Sequence, residues 1–498
     1  MLVLALSLGF CVQDDTYISL RYARNMADGF GLVYNPGEPP VEGYTNFLWT
    51  ALLAGVLAVG ASGVWASVCG GLLSAIAVVV LVAWWGRRSP WVDGRPWVAL
   101  VAPALVALDP GLLLEAVQGL ETLFFTLVVT GCVYTSIQEM KQPDRPPWSA
   151  LLGATAALTR PEGYLFYGLL HLARFLHRPK APSRATVVGW VVFLVLTLSH
   201  LAYRWRFYGD LVPNTFHAKT GGGIEMWQRG LGYLGEWTWH HLTLVGLALC
   251  GAWAAVRRAS ARDHAVLLLV TVYLVYVVSV GGDFKPSGRF LLPVLPLLAL
   301  WAQDGLGWLM NRLDRFSGAS AGLGLVVVAL ATWNAKAYWP HPAASAEYRE
   351  QNQRDRVEVG EFLRARFAPG TWIAIHSAGT IPYISGLPTI DCWGLSDRHI
   401  ASVEIPTMGQ GEAGHEKKDY DYVFGRHPTV YLPEADLTTV RPKRLLIPGD
   451  FPMDFGDHYN QYSAILPSGQ AVNFWLHMDH DDAPVEPVSP VLRALDPA

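Results

Sequence analysis

Apolar stretches recur from the start of the chain to about Trp333, separated by short polar links, and then give way to charged, proline-containing and strand-like sequence. Against the roughly 20 apolar residues a spanning helix needs, membrane segments are expected at Val64–Trp85, Trp97–Leu114, Gly119–Ile137, Trp148–Leu158, Gly163–Leu176, Val187–Tyr203, Trp237–Ala255, Val266–Val280, Phe290–Met310 and Ala321–Trp333. Met1–Val12 adds a short one, about 18 Å of helix against a hydrocarbon core of about 30 Å. It reads as a clipped first span, since a signal peptide would carry a basic leader and a small-residue cleavage site. Beyond Trp339–Pro342, Asp355–Phe367 has helical apolar spacing. Thr371–Ile375, Thr429–Leu432, Arg444–Ile447, Tyr459–Leu466 and Ala471–Met478 read as short strands. The expected organisation is a membrane domain over residues 1–339, with a first external loop at 13–63, and an extracytoplasmic α/β domain over 340–498 whose acidic tail, Asp479–Pro490, is frayed.

Composition agrees: 52% hydrophobic residues and 20 Trp exceed what a soluble domain buries. A net charge of −4 leaves no basic footprint for nucleic acid. Of Cys11, Cys69, Cys132, Cys250 and Cys392 only the last lies outside an apolar run, and no disulfide framework or C-x-x-C site follows.

Lys and Arg concentrate in loops around Arg87/Arg88/Arg95, Lys141/Arg145, Arg174/Arg178/Lys180/Arg184, Arg257/Arg258/Arg262 and Arg312/Arg315, which the positive-inside rule places in the cytoplasm. The loops at Glu115–Glu121, Arg160–Glu162, Tyr208–Lys219 and Gly281–Arg289 then share the outer side with the C-terminal region. Parity leaves one crossing between Asp14 and Arg87. Val64–Trp85 takes it, so Phe47–Gly60 is expected to be an interfacial or re-entrant helix. About 11 crossings follow.

The chemistry concentrates where the first run ends. Asp14 and Asp15 sit at its exit, with Tyr17, Arg21, Arg24 and Asn25 at helical spacing behind them, followed by a polar loop with Asn35, Pro36, Glu42, Gly43, Tyr44, Thr45 and Asn46. Carboxylates at a bilayer boundary are costly to desolvate and mark function more often than surface charge does. The bland alternative for the pair is a helix cap.

This segment resembles the first external loop of the GT-C superfamily of polyprenyl-phosphate-sugar glycosyltransferases, and the chain as a whole is similar to the mycobacterial terminal arabinofuranosyltransferase family. The likeness runs through GLET at Gly119–Thr122, TRPEG at Thr159–Gly163, YGDLVPNTFHAK at Tyr208–Lys219, GGDFKPSGRFLLPVLPL at Gly281–Leu297, IPYISGLPTIDCWGLSDRHIA at Ile381–Ala401 and GHEK at Gly414–Lys417. It implies a polytopic α-helical GT-C membrane fold with a C-terminal soluble α/β domain, in a bacterial plasma membrane, the C-terminal domain on the periplasmic side.

The resemblance implies an inverting glycosyltransferase that moves a sugar, arabinofuranose by similarity, from a polyprenyl-phosphate donor in the bilayer to an envelope glycan. Asp14 is expected to accept the acceptor's proton and Asp15 to orient the sugar or a metal. Arg289, Lys285 and Lys219 are expected to bind the donor phosphate, cations at headgroup depth being what a lipid phosphate requires. Tyr17, Arg21, Glu42, Tyr44, Asn46, Glu121, Arg160, Asn214, His217, Asp283 and His415 are expected around the substrates. Glu121 reads either as part of an acidic metal motif or as a helix-dipole partner, and Arg160 with Glu162 either as a charged kink at Pro161 or as a turn with a local ion pair. No cofactor is demanded, and Mg2+, Mn2+ or Ca2+ is compatible with the acidic pair. A transporter or flippase of lipid-linked sugars is the alternative, expected to gather polar groups at the bilayer midplane.

Other motifs carry less. Gly409, Gly411 and Gly414 satisfy G-x-G-x-x-G without a leading strand, His415–Glu416 lacks a second zinc histidine, and the acidic and histidine residues from His477 to Asp482 read as a solvated tail. His376, Ser377, Asp391, Asp397, Arg398 and His399 lack a nucleophile elbow. By resemblance this region caps the active site and helps select the acceptor.

Overall fold

The computed structural model describes residues 12–313 apart from 94, 178–180, 259, 260 and 286, together with 329, 346–435 and 437–480. The first span, the Ala321–Trp333 span, the expected domain boundary and most of the acidic tail lie outside the described residues.

Among the described residues three helices, Gly63–Gly86, Thr122–Lys141 and Arg184–Tyr208, are long and apolar enough to cross a membrane. Ile224–His240 and Leu242–Arg258 form a further pair bent by 96°. Of the eleven expected crossings, the first and the last fall outside the described residues, and several of the other apolar runs are not single rods. Trp97–Leu114 breaks into a 3-10 turn at Pro96–Leu100 and helices at Val101–Ala107 and Pro110–Glu115, since Pro110 has no N–H to continue the ladder. Asp109 caps the last piece by accepting from the Leu112 amide at 2.8 Å. The Phe290–Met310 run starts its helix only at Leu295, with Pro296 in the first turn where a missing N–H costs nothing. Phe47–Ala58 has 12 residues, about 18 Å and too short to cross alone. Trp49, Leu53 and Ala54 pack it on Leu20, Ala23 and Val68.

The helices approach closely where glycines face carbonyls. A Cβ on Gly251 would lie 1.9 Å from the Trp301 carbonyl oxygen, and one on Gly305 2.1 Å from that of Leu247. This seats Leu242–Arg258 directly on Leu295–Leu313, the small-residue packing that lipid-embedded helices depend on. Gly251→Leu is therefore expected to destabilise the protein by about 1–3 kcal/mol, seen as a lower melting temperature and a broadened size-exclusion peak in detergent.

In the C-terminal region, the helix Ala346–Arg366 precedes a six-stranded sheet of β1 (Ile373–Ile375), β2 (Thr389–Asp391), β3 (Val430–Leu432), β4 (Thr438–Thr439), β5 (Tyr459–Ile465) and β6 (Ala471–His477). The order is β2-β1-β3-β6-β4, with β5 on the other edge of β6; β1 pairs in parallel with β2 and β3, and β6 is antiparallel to β3, β4 and β5. Both faces are covered. Ile373, Ile375, Val430, Leu432, Val472 and Phe474 meet Val359 and Leu363 of the helix and Phe367 just beyond it, whereas Ala374, Tyr431 and Trp475 meet Ile400, Val423, Phe424 and Phe455.

Arg444–Ile447, expected as a strand, is a loop. The Gln461 side chain takes both backbone groups there, accepting from the Leu445 amide and donating to the Lys443 carbonyl, while Leu446 points outward.

The sheet domain is fastened to the first loop. Buried Arg21 donates to the carbonyls of Tyr34 (2.8 Å), Pro382 and Leu387 (2.8 Å). Arg24 lies 3.5 Å over the Tyr383 ring, and the Asn35 side chain donates to the Thr389 carbonyl and accepts from the Thr389 amide.

Candidate active site

Adjacent residues on a helix point about 100° apart, so the two carboxylates at the start of Asp14–Ala27 cannot share one partner set. Asp14 turns toward the sheet domain. Its oxygens accept from the backbone amides of Gly379 (3.0 Å) and Thr380 (2.9 Å), with Arg356 Nε at 3.9 Å. A Cβ at residue 379 would fall 1.9 Å from the Asp14 carbonyl oxygen, so only glycine fits. This gives the HSAG segment, His376–Gly379, its place: it delivers that glycine.

Asp15 turns toward Gly281–Arg289. Its Oδ2 accepts from Lys285 Nζ and lies 3.4 Å from Arg289 Nη1. The side chain is 37% exposed while those of Lys285 and Arg289 are 7% and 8% exposed, so the carboxylate stands at the mouth of a buried cationic pair. Lys285 also donates to Gln13, and Arg289 pairs with Asp283. Burial by itself would raise the Asp15 pKa, but Lys285 and then Arg289 outweigh it and hold the carboxylate well below its usual range.

Around this pair the chain gathers two more of the expected residues. Lys219, at the end of Asn214–Lys219, makes no hydrogen bond among the described residues; burial and the neighbouring Arg289 charge lower its pKa. His415 sits against Trp393 and Phe284, with ring centroids 3.9 and 4.5 Å away. Burial, with Lys219 and Lys285 nearby, brings its imidazole down to about 4, so it is neutral near pH 7. The glycine pattern at 409–414 is what holds His415: Glu416 accepts from the Gly409 and Gly411 amides and pairs with Arg229 at 2.9 Å.

Other expected substrate residues hold the framework instead. Arg21 is consumed by carbonyls, and Tyr17 packs against Tyr383 with tilted rings 5.4 Å apart. Glu42 forms a two-pronged pair with Arg204 (2.7 and 3.0 Å), and Tyr44 meets the Tyr208 hydroxyl. Asn214 donates to the carbonyls of Gly394, Leu395 and Asp397, and His217 pairs with Asp210 at 2.8 Å. Glu121 stands at the N-cap of Thr122–Lys141, as the dipole-partner reading expects, but makes no capping hydrogen bond. It accepts from Asn46 (2.7 Å) and pairs with Arg160 (2.8 Å), which also pairs with Glu162 (3.2 Å).

Sequence reading passed over Gln13, Arg356, Gly379 and Glu115. Glu115 is fully buried, accepts from Ser287 at 2.8 Å and is raised in pKa by burial. Its one visible signal is an acidic residue directly after the apolar run Trp97–Leu114. Asp15 and Asp283 are paired with Lys285 and Arg289, and among the described residues no three His, Cys, Asp or Glu side chains converge.

Comparison with known proteins places this geometry in context. Residues 343–475 match a family model described as a domain of unknown function (DUF8728). The chain is 29% identical over 376 residues to a terminal beta-(1->2)-arabinofuranosyltransferase of Mycobacterium tuberculosis, covering 65% of this chain and 58% of that protein. It is 27% identical to the Corynebacterium glutamicum protein of the same name, covering 58% and 47%. The chain thus spans about half the length of these curated relatives. Among solved structures it is similar to ArnT of Cupriavidus metallidurans in the apo state, with TM-score 0.60, 15% identity and 95% and 96% of the two chains covered. It is also similar to the same protein bound to undecaprenyl phosphate, with TM-score 0.52, 15% identity and 78% and 84% covered. The chain shares its fold with ArnT and is similar in sequence to the terminal arabinofuranosyltransferases.

Proposed function

We propose that this protein is an inverting glycosyltransferase that transfers arabinofuranose from a polyprenyl-phosphate donor to an envelope glycan at the outer face of the membrane. The observation that carries this reading is the mouth of the cationic pair: Asp15 bound to Lys285 and Arg289, with Lys219 and neutral His415 beside it. The names of the relatives support the sugar, and the undecaprenyl phosphate in the ArnT structure supports the donor class. In this reading residues 1–339 form the membrane domain and 340–498 face outward with the site.

The donor tail stays in lipid while its phosphate takes the place of the Asp15 carboxylate on Lys285 and Arg289, with Lys219 as a third cation. Relieved of its partners, Asp15 regains basicity and accepts the proton of the attacking hydroxyl. The new C–O bond forms at the anomeric carbon as the C–O bond to phosphate breaks through an oxocarbenium-like state. The electron pair leaves on a phosphate oxygen that the three cations stabilise. Asp14, engaged by two amides, acts as a positioning residue.

The test is purified protein offered a panel of synthetic polyprenyl-phosphate sugars, with products identified by mass spectrometry. Transfer from none, by folded protein, overturns the reading. The pH profile supplies a second check. Because the native Asp15 pKa is depressed, the acid limb of kcat/KM is expected below the ordinary carboxylate value of about 4. Lys285→Gln removes the strongest lowering influence and is expected to move that limb upward, together with a rise in donor KM; an unmoved limb would remove Asp15 from the base role.

One observation keeps transport as a second reading. The 96° break between Ile224–His240 and Leu242–Arg258 falls at His241, whose Nε2 meets Asp109 at 2.9 Å, a polar pair at a broken helix. A transporter would move lipid-linked sugar across vesicles and form no glycosidic product in detergent.

A further inference from the structure

A cavity of about 400 Å3 lies between the first loop and the sheet domain, lined among others by Tyr34, Glu38, Asp397, His399, Tyr422 and Arg426. Its size falls within the range of ligand pockets, and the two carboxylates on its wall, Glu38 and Asp397, are matched by two guanidinium groups, Arg398 and Arg426. Arg426 pairs with Glu38 at 3.2 Å and with Asp397 at 3.7 Å, while Asp397 also accepts from the Tyr422 hydroxyl at 3.1 Å. The His399 ring stacks on Tyr422 with centroids 4.0 Å apart and pairs outward with Asp419. Such a wall offers aromatic surface and many hydrogen-bonding atoms without excess charge. That suits a neutral polyhydroxylated ligand, whose C–H faces pack on rings and whose hydroxyls both donate and accept. The contrast with the Lys219, Lys285 and Arg289 cluster, which calls for an anion, is direct.

The cavity also adjoins the segment that docks on Asp14. Tyr34, one of its walls, donates to the Ala378 carbonyl at 2.6 Å, immediately before Gly379. We propose that this cavity is a saccharide subsite that holds a neutral stretch of the acceptor glycan at a distance from the hydroxyl that reacts. The inference rests on the glycosyltransferase reading and adds where the acceptor is gripped.

The experiment uses the full chain in detergent with synthetic arabinofuranosyl acceptors of two and six residues. Ser402→Trp fills the cavity from its rim, and Tyr422→Ala removes a stacking wall. Both are expected to raise KM for the six-residue acceptor about tenfold while leaving kcat and the KM of the two-residue acceptor within about twofold. Saturation-transfer NMR without donor reads binding of the six-residue glycan independently of turnover, and Tyr422→Phe, which keeps the ring, is expected to restore most of it. Intact transfer with neither KM nor binding altered by either variant overturns the subsite and spares the catalytic reading. Absence of transfer from every donor, together with glycan binding that Ser402→Trp abolishes, overturns the catalytic reading and keeps the subsite.

Discussion

Asp15→Asn is expected to reduce turnover by about 10²–10⁴-fold, the share that a positioned general base contributes, with the melting temperature nearly unchanged. An amide cannot take the acceptor's proton, yet it leaves Lys285 and Arg289 in place and removes the carboxylate that competes with phosphate for them. Affinity for polyprenyl phosphate should therefore hold or rise while turnover falls, a split that misfolding cannot produce. Asp14→Asn gives the opposite pattern. Its NH2 would face the Gly379 or Thr380 amide, donor against donor, and lose hydrogen bonds to a charged acceptor worth about 1.5–3 kcal/mol each. Stability and activity should then fall together. Single-turnover rates, donor binding and thermal melts of the two variants decide the assignment; intact turnover in Asp15→Asn with inactive but stable Asp14→Asn would reverse it.

Arg21→Ala is expected to carry the largest stability effect. The guanidinium is 5% exposed and satisfies the carbonyls of Tyr34, Pro382 and Leu387 together. Truncation leaves buried acceptors without donors, at roughly 1–3 kcal/mol for each such group, partly recovered where water enters. The expected outcome is a melting temperature several degrees lower and rapid proteolysis between the first loop and the sheet domain. Arg21→Lys should rescue little, because one ammonium cannot reproduce the forked geometry. Wild-type protease resistance in Arg21→Ala would mean the seam is held elsewhere.

The acidic pair at the end of the first apolar run and the cations of Gly281–Arg289 were legible in the sequence, because charge beside a long apolar stretch has few structural explanations. The short Phe47–Ala58 helix was legible as an apolar run that ends by Gly60. What could not be read was which carboxylate faces which partner. That choice is made by a glycine 365 residues away that leaves room for Asp14. The pairing of Glu42 with Arg204, across 162 residues, is equally invisible to local spacing. Long apolar runs misled where prolines subdivide them, as at Pro110. Arg444–Ile447 has strand composition but surrenders its backbone groups to Gln461, a tertiary override of local preference.

Two of the carbonyls that Arg21 holds and the amides that Asp14 holds belong to the same short stretch, residues 379–387. Grafted onto an unrelated scaffold, the sheet domain would present these unmet groups together with the Tyr383 ring on a bare face. Chimeras between relatives should therefore work only when both halves of this joint are inherited as one cassette, which makes residues 14–35 and 379–389 a single unit of exchange despite their separation along the chain.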